Sequence, residues 1–179
     1  MATYLADIAE NLCVDGPSAR FTYRRMGTQR DTPLVLLHRF RGTIDWWDPE
    51  FLDYLAAEHD VIVFDNVGIG YSSGEPRNSV KGFAEGAIEF IEGLSLSTVD
   101  LLGWSLGGIV AQEVALRRPE LVRKLVSTPE PSPSRSRTSS PRDCSIERHT
   151  SESSGPVSCP ESVAAWVSRR GPIHPSLAA

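Results

Sequence analysis

Cysteine is scarce in this chain: Cys13, Cys144 and Cys159 are the only three in 179 residues. An odd number at wide separations, with no C-x-x-C pair, suggests neither a disulfide framework nor a zinc site, and it suits the reducing cytoplasm. Long apolar runs are missing too; none approaches the roughly 18 residues of a membrane span. The first ten residues carry Asp7 and Glu10 and lack the basic start and apolar middle of a secretory signal. Nor is there a basic stripe interleaved with aromatics: 18 Lys and Arg stand against 23 Asp and Glu, a net charge of −5. That balance argues against nucleic acid or an anionic membrane as the main partner. A small neutral or weakly polar molecule fits better, and nothing in the sequence sets an oligomeric state.

What is present divides at Ser127. Residues 1–127 hold 12 basic and 18 acidic residues, a net of −6, whereas residues 128–179 hold 6 Arg, no Lys and 5 acids, a net of +1. The second segment packs 13 Ser and 8 of the chain's 13 Pro into 52 positions, and its large apolar residues are isolated. Such a composition cannot bury enough to offset its ordering entropy, so a disordered Ser/Pro/Arg-rich tail is expected over 128–179. So abrupt a change also predicts that the coding frame or splice pattern shifts at this point. Reading the gene's other two frames beyond codon 127 tests that expectation, and it fails if neither continues the strand–helix pattern.

Residues 1–127 alternate strand and helix signals. Leu34–Leu37, Val61–Phe64 and Val99–Leu102 are short apolar runs of the kind found in parallel strands covered on both faces. Between them, Asp48–Glu58 sets Phe51, Leu52 and Leu55 on one helical face. Ser79 can cap a helix carrying Phe83, Ala87, Phe90 and Ile91, and Ile109–Arg118 runs into a stop at Pro119. Arg20–Met26 reads as an edge strand, and Lys124–Ser127 begins another. Strand and helix in repeated alternation predict an α/β fold, a mostly parallel sheet with flanking helices.

Gly103-Trp104-Ser105-Leu106-Gly107-Gly108 fits G-x-S-x-G directly after a predicted strand and directly before a predicted helix. A serine on so sharp a turn needs neighbours without side chains, because Cβ atoms at 103 and 107 would crowd the backbone. The turn lifts the Ser105 hydroxyl above the carboxyl end of the sheet. The Leu106 N–H, at the helix start, can then face negative charge developing on a carbonyl oxygen.

With that elbow in view, residues 19–127, about three fifths of the chain, resemble the N-terminal half of an α/β-hydrolase. Leu36-Leu37-His38-Arg39-Phe40-Arg41-Gly42 is similar to the family's strand and H-G-x-x-G region, with Arg39 in place of the usual glycine. Asp65-Asn66-Val67-Gly68-Ile69-Gly70-Tyr71-Ser72 matches its D-x-x-G-x-G-x-S turn, in which Asp65 is expected to hold its own glycine turn. The resemblance extends, through 38–43 and Trp46–Pro49, to the haloperoxidase-like and small-ester hydrolase branch. It implies a truncated α/β-hydrolase fold and a serine hydrolase of esters or related acyl compounds, without metal or organic cofactor, and a peracid side activity as a variant. Ser105 would be the nucleophile and Phe40 and Leu106 the oxyanion-hole N–H donors. Trp46, Trp47 and Trp104 are candidates to line the substrate pocket, and His38 is expected to organise its loop rather than act as a base.

An alcohol attacks only when a base takes its proton, and in this family the acid and histidine follow the serine in the chain. Asp143 with His149 or His174 meets that order inside the Ser/Pro/Arg-rich tail. The alternative reading is a catalytically inactive, truncated relative that binds a small ligand or a partner, or a fragment without a function of its own.

Overall fold

The computed structural model describes residues 3–128; of the predicted tail only Thr128 falls within them, as the last residue of a strand rather than of a disordered segment, and Asp143, His149 and His174 lie outside. Six strands, β1 (Leu12–Asp15), β2 (Arg20–Met26), β3 (Leu34–Leu37), β4 (Val61–Phe64), β5 (Val99–Trp104) and β6 (Val122–Thr128), form one sheet in the order β1-β2-β4-β3-β5-β6. From β4 across to β6 neighbouring strands are parallel, whereas β1 and β2 pair antiparallel at one side. The mostly parallel sheet agrees with the alternation read from the sequence. Arg20–Met26 is not the edge strand expected, because Leu12–Asp15 pairs outside it.

Four helices cover the sheet: α1 (Leu5–Ile8), α2 (Pro49–Ala56), α3 (Val80–Gly93) and α4 (Leu106–Arg117). Successive strand residues point to opposite faces, so each buried strand feeds two cores. Val35, Leu37, Ile62 and Phe64 meet Ala87, Phe90 and Ile91 of α3 and Val110, Ala111 and Val114 of α4. Leu34, Leu36, Val61 and Val63 meet Leu52 and Leu55 of α2, with Ile44 and Trp47. Asp48 caps α2 by accepting the Phe51 N–H at 3.0 Å, and Ser79 caps α3 by accepting the Gly82 N–H at 3.1 Å.

This order places the site. From β3 the chain crosses to β4 on one side, then returns past β3 to β5 on the other. Loops leaving the carboxyl ends of β3 and β5 therefore diverge around a crevice, where open α/β sheets bind ligands.

Candidate active site

Ser105 stands at the carboxyl end of β5 with φ 57° and ψ −120°, a backbone state in which a side chain is strained. Tight packing enforces it. A Cβ on Gly103 would lie 2.3 Å from the Gly107 carbonyl oxygen, and one on Gly107 would lie 2.1 Å from the Leu37 carbonyl oxygen. Both glycines of G-x-S-x-G are thus required by close approach, and Gly107 lashes the start of α4 to the end of β3. The Ser105 N–H donates to the Thr128 carbonyl at 3.1 Å. Although Ser105 is the N-cap of α4, its side chain makes no capping hydrogen bond.

The loop after β3 is organised by His38. Its Nδ1 accepts the Arg39 N–H at 2.7 Å, and its ring lies 4.4 Å from the Trp47 ring and 5.3 Å from the Trp104 ring. Gly42 makes room, since a Cβ there would stand 2.4 Å from the imidazole. Burial pushes the His38 pKa down; the Trp46 main chain opposes this in part, and the Arg39 charge adds to the lowering. Nε2 is buried without a hydrogen-bond partner among the described residues. An imidazole packed in this way anchors a loop, as expected from the sequence.

Asp65, fully buried, joins the next two segments. One carboxylate oxygen accepts the Tyr71 N–H at 2.9 Å and the other accepts the Ile44 N–H at 2.8 Å. The expected bond to its own glycine turn is present, and a second bond to the segment carrying Trp46 and Trp47 accompanies it. Burial raises the Asp65 pKa against the lowering by these two donors.

These loops enclose a cleft of about 420 Å³, a volume that includes its open mouth. Phe40 and Leu106 both line it, with His38, Arg39, Arg41 and Gly107. Ser105, which precedes Leu106 in the chain, is not itself among the lining residues. Leu37, Phe64, Asn66, Ile69, Phe83 and Val110 also line the cleft and were not singled out as site residues in the sequence. Asn66 offered a signal, since it belongs to the D-x-x-G-x-G-x-S turn; its side-chain amide donates to the Phe83 carbonyl at 3.0 Å. None of Trp46, Trp47 and Trp104, the candidate pocket residues, is among the lining; Trp47 and Trp104 pack on His38 and Trp46 on Arg39. Trp47 is buried against His38 and Phe51, whereas Trp46 is 56% exposed and carries the Arg39 guanidinium 4.7 Å above its ring. Among the described residues no group of three or more His, Cys, Asp or Glu is arranged to hold a metal ion. No described helix is long and apolar enough to cross a membrane.

A mixed sheet with its β1–β2 hairpin, a strained serine elbow after β5 and a glycine-dependent loop after β3 define a class, and the family model for the alpha/beta hydrolase fold matches residues 32–140. The chain belongs to that family. It is 33% identical over 94 residues to the (E)-2-((N-methylformamido)methylene)succinate hydrolase of Acinetobacter baylyi, covering 52% of this chain and 35% of that protein. To the (Lyso)-N-acylphosphatidylethanolamine lipase of Mus musculus it is 34% identical over 104 residues, covering 55% and 30% respectively. Among solved structures, an alpha/beta hydrolase fold protein from Chitinophaga pinensis superposes with a TM-score of 0.66 at 35% identity, over 68% of this chain and 44% of that one. The chain spans about a third of the length of these two curated relatives.

Proposed function

We propose that this chain carries the nucleophile half of a cytoplasmic serine hydrolase that acts on a carboxylic ester or a related acyl substrate. The observation that carries the proposal is Ser105 itself: its backbone is held at positive φ and its hydroxyl is not spent on capping α4. In this reading Oγ attacks the acyl carbon as its proton passes to a base. The carbonyl oxygen, now negative, receives the N–H groups of Phe40 and Leu106, whose residues line one cleft. Losing one such donor typically costs about 10² to 10³ in turnover. Trp46 and Trp104, both exposed, would give an apolar substrate surface, with buried Trp47 packed 6.0 Å from Trp104. The names of the two curated relatives, a hydrolase and a lipase, are compatible with acyl chemistry.

A second reading is a ligand-binding relative without turnover; the acid and histidine expected to follow Ser105 lie outside the described residues. Labelling of the full chain with a fluorophosphonate separates the two. The hydrolase reading expects labelling of wild type and none of Ser105→Ala, with loss in His149→Ala or His174→Ala identifying the base. Folded protein that takes no label belongs to the second reading.

A further inference from the structure

The charges at the cleft differ from those of the chain. Residues 1–127 carry a net of −6, yet the lining includes Arg39 and Arg41 and not one carboxylate. Six of the ten arginines in the described part, Arg20, Arg24, Arg25, Arg117, Arg118 and Arg123, stand in ion pairs. Neither Arg39 nor Arg41 is paired with an acid among the described residues, and no described group accepts a hydrogen bond from either guanidinium.

Arg39 is also held in a useful posture. Its guanidinium lies 4.7 Å over the Trp46 ring and 6.0 Å from the Trp104 ring. A guanidinium held over a ring still has N–H donors to offer, and its fork matches a carboxylate. Arg41 sits two residues on at φ 58°, a strained backbone state for a residue with a side chain. The remaining lining is mainly apolar, with Phe40, Phe64, Ile69, Phe83 and Val110. Two cations unpaired among the described residues, in a lining otherwise mainly apolar, suit a ligand with an anionic head and a hydrocarbon body.

We infer that the cleft takes an acyl compound bearing a carboxylate, with Arg39 and Arg41 as the residues that select it. Calling that compound a substrate rests on the hydrolase reading; the anion preference itself does not. It differs from the neutral ligand expected from net charge, because net charge averages over the whole surface.

Tryptophan fluorescence of the full-length protein tests this, because Trp46 lies under Arg39. Butyrate and butyramide have the same shape and differ in charge. Butyrate is expected to saturate the signal at a concentration about tenfold lower than butyramide, the scale of one charge-assisted pair of hydrogen bonds. In Arg39→Gln and Arg41→Gln that ratio is expected to fall toward one, with Arg39→Lys recovering part of it. Equal affinity for butyrate and butyramide in wild type overturns the inference without recourse to any variant. So does a butyrate preference that survives loss of both arginines, which would locate the anion on the loop N–H groups. Inorganic phosphate binding as tightly as butyrate also overturns it, leaving a nonselective ion site. Because the readout is binding, a chain that turns over no ester is still tested, and loss of the anion preference leaves fluorophosphonate labelling of Ser105 as a separate result.

Discussion

Gly107 presses so closely on Leu37 that a Cβ would stand 2.1 Å from the Leu37 carbonyl oxygen and 2.6 Å from that of His38. Two backbone carbonyls cannot swing aside as a flexible side chain can. Gly107→Ala is therefore expected to destabilise the protein by about 3 kcal/mol, the upper part of the range for overpacking, and to push the loop that bears Phe40 away from α4. Urea denaturation checks the first effect, and loss of fluorophosphonate labelling in protein that remains folded checks the second.

Ser105 yields a prediction in which two small residues part company. Its φ of 57° with ψ −120° costs on the order of 1–3 kcal/mol for any residue with a Cβ. Glycine escapes that cost but gives back about 0.5–1 kcal/mol through the freedom of its unfolded chain. Ser105→Gly is accordingly expected to be about 1 kcal/mol more stable than Ser105→Ala, with neither variant labelled. Thermal melts that show the alanine variant equal or better would mean that the elbow is not strained.

How much of this was legible beforehand depends on where the information lies along the chain. β3 and β4 were readable to the residue because Leu34–Leu37 and Val61–Phe64 are buried on both faces, which writes an unbroken apolar run into the sequence. β1 was not, because Leu12, Cys13 and Asp15 are exposed and only Val14 is partly covered; that strand exists through its antiparallel pairing with β2, a long-range fact. The elbow was local and could be read from Gly103 to Gly107. Its cleft was not, since the lining comes from the loop after β3, the turn after β4, α3 and α4. The absence of a carboxylate there is a property of the fold that no window of sequence contains.

His38 should make stability fall on acidification. Burial lowers its pKa in the folded state, so the fold favours the neutral ring, while the unfolded chain takes up a proton below its ordinary value of about 6.5. The stability this residue contributes is complete above that value and is lost as pH falls from there toward the folded-state pKa. His38→Gln removes the titration. The margin of wild type over this variant, measured by urea denaturation, is expected to shrink from pH 7 to pH 5. A margin that is constant over that interval would mean that the imidazole is equally free to ionise in both states.

Asp65 connects the glycine turn to the aromatic wall of the site. Its carboxylate accepts two backbone N–H groups, from Ile44 at 2.8 Å and Tyr71 at 2.9 Å, and a carboxamide can accept only one of them. In Asp65→Asn the amide nitrogen would face a donor, leaving a buried N–H unsatisfied at about 1–3 kcal/mol. Removing a buried charge works in the opposite direction, but the unmet donor outweighs it because both oxygens are already committed. Ile44 directly precedes the segment in which Trp47 supports His38, so the variant is expected to weaken the near-ultraviolet dichroism of the tryptophans as well as the stability. Lower stability with an unaltered tryptophan spectrum would assign the loss to the Tyr71 side alone, and the link from Asp65 to the site would fail.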